Sequence, residues 1–451
     1  MKPVTGLPSI IAAATMLCCA PCALPAADGV DAKVDSALRK ELLNKIAAEL
    51  ESRYVIPETA KKLAAMVRAK QKANAYKGIT SPLGLAQALS DDLYTVAHDK
   101  HLRVYISFAP LPAASPSPPA PPSPKEVERI RKDNGSISKL EILDGNVGYM
   151  RVNGVPTLEG ARPAVTAAFA FLHDTDALII DNRGNYGGDP HTVALYISYL
   201  SEGDPYVIDS FHYREGNCVQ EFSTTNLGEL SYGIRKPVFV LTSSRTFSGG
   251  EGVAYDLQAL KRALIVGETT AGGATSPRHV PLSHQFALAV PVARGENAIT
   301  KTSWEGTGVK PDIAVDASIA LSKAHALAIE RLRAAVTDDR ARSDFDSVLM
   351  KLQTIEEAES GSAVRLPNAD LLGSYVPVIG AGTTVVISEK DGQLIWHVDG
   401  VQERVLIHLG GNRYGRQGLP SGFTISFRAQ SGKTELLMEE PNRPGRIRVK
   451  Q

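Results

Sequence analysis

The segment Ser243–Ala263, SSRTFSGGEGVAYDLQALKRA, begins where a buried strand gives way to a helix. The residues just before it, Pro237–Thr242 (PVFVLT), form a continuous apolar run typical of parallel strands that are buried on both faces. From Gly249 onward, apolar residues recur at helical spacing. Ser248 therefore stands at the junction of strand and helix, beside the free amides of a helix N-terminus.

Ser248 has two interpretations at this position. With Glu251 it matches the S-x-x-E capping box, which serves only to satisfy backbone amides. A serine held out of the sheet at such a turn is also how a nucleophile is presented, because the helix amides and dipole favour a developing anion. Capping is the commoner role for the segment taken alone, and the two roles can coexist.

The composition is that of an ordinary soluble globular protein. The chain has 451 residues, which is enough for two or three domains. Hydrophobic residues make up 43% of it, and 49 Lys and Arg balance 49 Asp and Glu. This balance leaves no basic field that would attract nucleic acid or anionic lipid, so neither is expected as a partner.

The first 27 residues predict a signal peptide. Lys2 is followed by the apolar stretch Leu7–Leu24 and then by small residues that suit a cleavage point. We therefore expect an exported protein, periplasmic or extracellular, with no later membrane span. A membrane anchor and lipidation at Cys22 are weaker alternatives, because prolines interrupt the apolar core and directly precede that cysteine. Only Cys218 would remain after cleavage, so no internal disulfide is expected.

The rest of the chain divides by hydrophobic pattern and composition. We expect an N-terminal helical domain at 28–106, a Pro-rich linker at 107–135, an α/β core at 136–335, a linker at 336–365 and an accessory β domain at 366–451. In the core, strand-then-turn units alternate with helical segments, which indicates a substantial parallel sheet. The last segment shows alternating apolar residues and Gly-rich turns, a pattern typical of a small antiparallel β domain.

A second strand-to-turn unit carries further candidate residues. The sequence DNRGNYGG, Asp181–Gly188, follows an apolar strand. If that strand is a parallel neighbour of PVFVLT, the two turns meet at the carboxyl edge of the sheet, where α/β proteins bind ligands. The amides of Gly187, Gly188 and Gly249 could then form an oxyanion hole beside Ser248. The alternative is a plain tight turn.

A serine nucleophile needs a base and an orienting acid. Among ten histidines, His101 in AHDKHLRVY is the most suggestive, because it follows a helix and opens a short strand; His98, His279 and His284 are weaker candidates. Glu305 in SWEGTGVKPDI lies in a Gly-punctuated turn beside a tryptophan, where partial desolvation would strengthen its hydrogen bonds. Each also fits a plain structural role. No histidine has acidic neighbours at a convincing ligand spacing, so no metal or other cofactor is expected.

Taken together, these motifs resemble the tail-specific (C-terminal processing) serine peptidase family S41. The likeness rests on DNRGNYGG, SSRTFSGGEGVAYDLQALKRA, VGETTAGGA and WEGTGVKPDI in this order, and it covers roughly residues 31–335. HDKHLRV is similar to the branch that includes the interphotoreceptor retinoid-binding protein and the tricorn protease core. The resemblance implies an α/β core of the crotonase/ClpP-like spiral type after a helical bundle, and the C-terminal β domain lies outside its pattern.

By this resemblance Ser248 is the nucleophile, His101 its base and Glu305 the acidic member of the charge relay, with Gly249 and a glycine of the Gly187–Gly188 pair as oxyanion donors. The implied activity is that of an exported serine endopeptidase acting on peptides or proteins. Two features depart from the better-known branch: the turn GETTAGGA holds no lysine for a Ser–Lys dyad, and no PDZ domain fits before the core. The alternative function is a non-catalytic carrier of apolar ligands on the same scaffold, as in the retinoid-binding relatives.

Overall fold

The computed structural model describes residues 34–107, 121–283, 285–359, 365–379, 382–420, 422–440 and 443–451. The predicted signal peptide, most of the Pro-rich tract and His284 lie outside these ranges. Within them, no helix combines the length and the apolar character needed to cross a membrane.

Helices and strands are mixed through most of the chain, and the last part consists almost entirely of strands. The helices are α1 (Ser36–Arg53), α2 (Pro57–Lys72), α3 (Pro82–Ala97), α4 (Pro124–Lys132), α5 (Leu158–Leu172), α6 (Pro190–Tyr199), α7 (Gly249–Ala259), α8 (Ala320–Ala335), α9 (Asp339–Glu359) and α10 (Asn368–Leu371). The strands are β1 (Arg103–Ile106), β2 (Ile137–Leu143), β3 (Val147–Val152), β4 (Ala177–Asp181), β5 (Val207–Tyr213), β6 (Val219–Ser223), β7 (Val238–Thr242), β8 (Leu264–Gly267), β9 (Thr275–Ser283), β10 (Phe286–Asn297), β11 (Ile313–Ala314), β12 (Gly373–Pro377), β13 (Val385–Lys390), β14 (Gln393–Val398), β15 (Val401–Gly410), β16 (Arg413–Arg416), β17 (Thr424–Gln430), β18 (Lys433–Glu440) and β19 (Arg443–Lys450).

The central sheet has six strands in the order β11–β8–β7–β4–β3–β2. Strands β3, β4, β7, β8 and β11 are parallel, and β2 pairs antiparallel to β3. Every residue of β4 and β7 is buried, because α5–α7 cover one face of the sheet and α8 and α9 cover the other. Strands β4 and β7 are parallel neighbours, so the condition for their following turns to meet at the same edge is satisfied.

A second, antiparallel sheet carries the N-terminal helices. Its strands run β1–β10–β5–β6, and β9 also pairs with β10. Helices α1–α3 share one hydrophobic core with β9 and β10, in which Ile46 and Leu89 lie with Leu288. The helical segment expected at 28–106 thus buries its apolar faces on strands from the segment 136–335, because amphipathic helices need a partner surface.

Two segments that we expected to be linkers contain helices. In 107–135, α4 begins where the Pro-rich tract ends, since proline is favoured in the first turn and the Ser123 side chain accepts from the amide of Glu126. In 336–365, α9 carries apolar residues at helical spacing and buries Leu352 in the core beneath the central sheet. The described part of each interval therefore includes a helix with a buried side chain, Ile130 in α4 and Leu352 in α9.

The C-terminal strands β12–β19 form a closed antiparallel sheet of eight strands, in which β19 returns to pair with β12. Aromatic and aliphatic side chains fill its interior, among them Tyr375, Trp396, Phe427 and Leu436. The antiparallel β region expected from Leu366 onward is confirmed. Closure removes the free sheet edges, which would otherwise invite pairing with other chains.

Candidate active site

The turns after β4 and β7 lie side by side at the carboxyl edge of the central sheet. The Asn182 side chain donates to the carbonyl oxygen of Gly250 at 3.2 Å, and the Thr246 hydroxyl donates to the carbonyl oxygen of Asn182 at 2.8 Å. The amide of Phe247 donates to the carbonyl oxygen of Asn185 at 2.9 Å. These bonds hold the DNRGNYGG turn directly against the SGGE segment that opens α7.

Ser248 adopts a backbone conformation that is strained for a residue with a Cβ, with φ 53° and ψ −125°. The Glu251 carboxylate accepts from its amide at 2.8 Å, as the capping box predicts. The half-buried side chain opens onto a cavity that is also lined by Gly188 and Gly249. A strained serine between strand and helix is the arrangement that exposes the nucleophile in α/β-hydrolases.

Two backbone amides beside Ser248 have no acceptor in the part of the chain that the structure describes. They belong to Gly188 and Gly249, and a Cβ built on Gly249 would lie 3.1 Å from the nitrogen of Gly188. The amide of Gly187, by contrast, donates to Oδ1 of Asn185 at 2.9 Å. Gly187 has φ +94°, and a Cβ there would lie 2.7 Å from the Cβ of Ser248, so only glycine fits.

The buried Glu251 carboxylate connects Ser248 to the turn after β8. Its Oε1 accepts from the Thr270 hydroxyl at 2.5 Å and from the amide of Gly272 at 2.6 Å. Its Oε2 accepts from the amides of Gly273 and Ser248, each at 2.8 Å. Burial raises the pKa of Glu251, and these hydrogen bonds oppose that shift. Because four donors occupy its two oxygens, Glu251 is a positioning group and not a free base.

His101, Asp99 and Glu305 form a buried cluster beside the same turn. One side-chain nitrogen or oxygen from each lies within 4.8 Å of the others. The Nδ1 atom of His101 is 3.2 Å from the Thr275 hydroxyl oxygen, and that oxygen is 3.2 Å from both carboxylate oxygens of Asp99. The structure therefore brings together His101 and Glu305, which the sequence predicts, and adds Asp99 and Thr275.

The two carboxyl groups of this cluster have unusual protonation behaviour. Oε2 of Glu305 accepts from the amides of Ala274 and Thr275, while its buried Oε1 has no partner among the described residues. Burial, with a further contribution from the charge of Asp99, raises the pKa of Glu305 to about 7. Burial also raises the pKa of Asp99, against hydrogen bonds that lower it. The cluster therefore gains or loses a proton near neutral pH.

The His101 ring lies against Phe247, the residue directly before Ser248, with ring centroids 4.5 Å apart. Gly273 permits this packing, because a Cβ there would overlap Phe247 and lie 2.9 Å from the His101 ring. No hydrogen bond joins His101 to Ser248 in the described part of the chain. Burial, helped by two nearby basic side chains, lowers the pKa of His101 to about 4. The ring is thus neutral at pH 7 and keeps one nitrogen lone pair.

Of the other candidate histidines, His98 and His279 are not members of this cluster, although His279 is near enough to help lower the pKa of His101. His98 is exposed and ends α3 with φ 52°, and His279 is bound to the Tyr105 hydroxyl at 2.9 Å. Sequence reasoning missed Asp99 and Thr275. The available signals were an acid two residues before His101 and a hydroxyl residue directly after the Gly-rich turn GETTAGGA.

Two family models match the chain. The model of peptidase family S41 matches residues 146–315, and the model of the N-terminal domain of Peptidase_S41 in eukaryotic IRBP matches residues 30–134. The first range holds Ser248 and Glu305, and the second holds His101. Together the two ranges span more than half of the chain.

Two curated proteins with related sequences are both named as C-terminal processing proteases or peptidases. A carboxy-terminal-processing protease of Bartonella bacilliformis is 30% identical over 181 residues, which cover 39% of this chain and 40% of that protein. The chloroplastic carboxyl-terminal-processing peptidase 2 of Arabidopsis thaliana is 31% identical over 170 residues, 37% of this chain and 31% of that protein. This chain thus covers less than half the length of these two relatives.

Among solved structures, a photosystem II D1 C-terminal processing protease is similar over 41% of this chain and 47% of that chain, with 25% identity and a TM-score of 0.33. The family models match the two sequence regions whose residues form the site described above. The chain belongs to peptidase family S41.

Proposed function

We propose that the protein is a serine peptidase that hydrolyses peptide bonds through an acyl-enzyme on Ser248. The observation that carries this proposal is the strained serine at the opening of α7 with two unpaired amides, those of Gly188 and Gly249, at the same cavity. The buried, neutral His101 packs against Phe247, the residue directly before Ser248. The processing proteases among the relatives support the same activity.

The Thr275 hydroxyl gives His101 the protonation state that a base requires. A hydroxyl has one proton, so when Thr275 donates to Asp99 it accepts from Nδ1–H of His101. The lone pair of His101 is then on Nε2. This nitrogen takes the proton of Ser248 as the serine oxygen attacks the peptide carbonyl carbon, and it later gives that proton to the leaving amine.

The groups that would stabilise the oxyanion and the imidazolium formed in the reaction are already in place. The amides of Gly188 and Gly249 bind the oxyanion, and the carboxylates of Asp99 and Glu305 stabilise the imidazolium of His101. Water then attacks the acyl-enzyme, with His101 again acting as the base. The contact between Ser248 and His101 forms on substrate binding in this proposal, since catalytic hydrogen bonds often tighten only in the complex.

The mechanism uses no Ser–Lys dyad. No lysine lines the cavity at Ser248 within the described ranges. Lys261 is exposed just beyond α7, and Lys100 donates to the carbonyl oxygen of Ala271. We extend the proposal to the finer features of the family likeness: a crotonase/ClpP-like spiral for the core, and export of the protein under the direction of its first 27 residues.

A carrier function that places an apolar ligand at Ser248 has less support. The cavity at Ser248 has a volume of about 80 Å³, whereas pockets for drug-sized ligands run from roughly 300 to 1,000 Å³. Polar groups also converge at its mouth, which a purely apolar ligand would not require.

Labelling of the purified protein with a fluorophosphonate tests the proposal, with intact mass as the readout. We expect one adduct on the wild type, none on Ser248→Ala, and full labelling of Ser244→Ala, which changes an exposed serine in the same β7–α7 turn. His101→Gln should slow labelling by roughly 10² or more, the usual size of a general-base contribution. An unlabelled wild-type protein would contradict the proposal.

A further inference from the structure

The cavity beside Ser248 is small and mostly apolar. Its walls include Val193, Phe211 and Trp304, and its volume is about 80 Å³. Gly252 shapes it, because a Cβ at that position would lie 3.5 Å from Trp304 and 3.6 Å from Val193. This volume is well below the roughly 300–1,000 Å³ of pockets for drug-sized ligands, so we expect it to suit a small side chain better than lysine or arginine.

One acidic side chain, Asp209 on β5, lines this apolar cavity. It is 9% exposed, and its buried Oδ1 has no hydrogen-bond partner among the described residues. The same is true of Oδ2 of Asp256, a fully buried residue of α7 whose other oxygen accepts from the Asn297 side chain at 3.0 Å. No basic side chain forms an ion pair with either carboxyl group in the described part of the chain.

The two carboxyl groups interact with each other and with the Asn297 side chain. Burial raises the pKa of both, to about 7 for Asp209, and the charge of Asp209 raises that of Asp256 further. Above pH 7, Asp209 is therefore the charged member of the pair, and it lines the cavity.

We propose that Asp209 makes this cavity a pocket for a small hydroxyl-bearing side chain, so that cleavage follows threonine or serine in preference to valine or alanine. The inference rests on the proposed function, because the oxyanion amides at the mouth direct the residue before the scissile bond into the cavity. A threonine hydroxyl donates to Asp209. Valine has the same shape but would bury the carboxylate without a hydrogen bond. The free-energy cost of that unpaired carboxylate contributes more to the preference for threonine than the added hydrogen bond does.

A peptide series that differs only in the residue before the scissile bond tests this inference. With threonine, valine, serine, alanine and lysine at that position, and at pH 8, above the pKa of about 7 that burial gives Asp209, we expect kcat/KM to favour threonine over valine by roughly tenfold or more, as for a hydrogen bond to a charged acceptor. Asp209→Leu, which removes the acceptor but keeps the approximate shape, should bring this ratio to about one or below. Glu221→Gln, an exposed change on neighbouring β6, should leave it unchanged.

Equal rates for threonine and valine in the unaltered protein, or a preference for lysine, would overturn the inference even if Asp209→Leu fails to fold. Binding of product peptides to Ser248→Ala, measured by calorimetry, gives the same comparison without turnover. Tenfold tighter binding of a peptide ending in threonine supports the pocket, and equal or undetectable binding of both peptides overturns it. Failure of the proposed function shows differently, as a wild-type Ser248 that fluorophosphonate does not label.

Discussion

At the scale of single residues, the hydroxyl of Thr275 contacts Nδ1 of His101, and in the proposed mechanism it determines which nitrogen of the ring carries the lone pair. It lies 3.2 Å from Nδ1 and 3.2 Å from each Asp99 oxygen, in a site from which most water is excluded. Because little water reaches His101, its tautomer depends on the groups that contact the ring. In the proposed mechanism, a Thr275 hydroxyl that accepts from Nδ1–H leaves the lone pair on Nε2, on the opposite side of the ring.

Substitutions at Thr275 should distinguish the effect of its hydroxyl on the His101 tautomer from the effect of its side-chain volume on packing. We expect Thr275→Val to lower kcat by about 10- to 100-fold, because the side chain keeps its volume but no longer fixes the Nδ1–H tautomer. Thr275→Ser should recover most of the rate, since it restores the hydroxyl. Measurement of kcat and of the fluorophosphonate labelling rate for both variants checks this. Equal losses in the two variants would point to packing and against the hydroxyl.

Glu305 should link activity and stability to pH in opposite directions. Its pKa is raised to about 7 in the folded protein, above about 4.3 in an unfolded chain. The folded state therefore binds its proton more tightly, and stability is lost as pH rises from about 4 to 7. In the proposed mechanism, ionised Glu305 stabilises the imidazolium of His101, so kcat should instead rise through about pH 7.

Glu305→Gln tests both consequences at once. At pH 8 we expect its free energy of unfolding to exceed that of the wild type by about 2 kcal/mol, on the scale of 1.4 kcal/mol for each pKa unit and allowing for partial exposure. At the same pH its kcat should be lower, and the rise in kcat near pH 7 should disappear. Urea unfolding and pH–rate profiles give the two readouts. A variant that is less stable than the wild type at pH 8 would argue against a desolvated carboxylate.

At the scale of elements, Glu251 holds the start of α7 to the turn after β8. In Glu251→Gln, the amide nitrogen can no longer accept from the backbone amides of Ser248 and Gly273. Two buried donors left unpaired should cost roughly 2–4 kcal/mol of unfolding free energy, and labelling of Ser248 should be lost. Glu268→Gln is the matched control, because Glu268 is only half-buried and accepts from an exposed amide in the same turn.

The elements also show which parts of the site local sequence patterns can predict. The runs ALIID and PVFVLT predict buried strands, because burial on both faces leaves a continuous apolar signal, but the sequence does not itself predict that the two strands are neighbours. The apolar stripe in α9, at Phe345, Val348, Leu349 and Leu352, carries the same information, although composition alone suggested a linker. The contact between Asp99 and Thr275 could not be predicted, because it spans 176 positions and depends on how β1, β9 and β10 pair.

At the scale of the whole molecule, the site is shared between two sequence regions that form one core. His101 follows α3, whereas Ser248 opens α7 behind the central sheet. Their relative position depends on the packing of α1–α3 against β9 and β10. The C-terminal closed sheet has a separate interior, which contains none of the site residues.

Substitution of two buried leucines should distinguish the core that positions His101 from the interior of the closed sheet. Leu288→Ala removes a fully buried side chain from the core shared by the helices and β10, and Leu436→Ala does the same inside the closed sheet. Each should lower stability by about 2–5 kcal/mol. Only Leu288→Ala should slow labelling of Ser248, because only that core positions His101. Thermal unfolding and labelling rates below the transition check this, and equal slowing in both variants would contradict it.

The pairing of β1 with β10 also limits when the proposed site can form during biosynthesis. Arg103 pairs with Ala289, so the strand next to His101 has no partner on β10 until nearly 290 residues have been made. A ribosome-bound chain that ends before β10 lacks this support for the position of His101. In such a chain, the chemistry proposed for Ser248 remains latent.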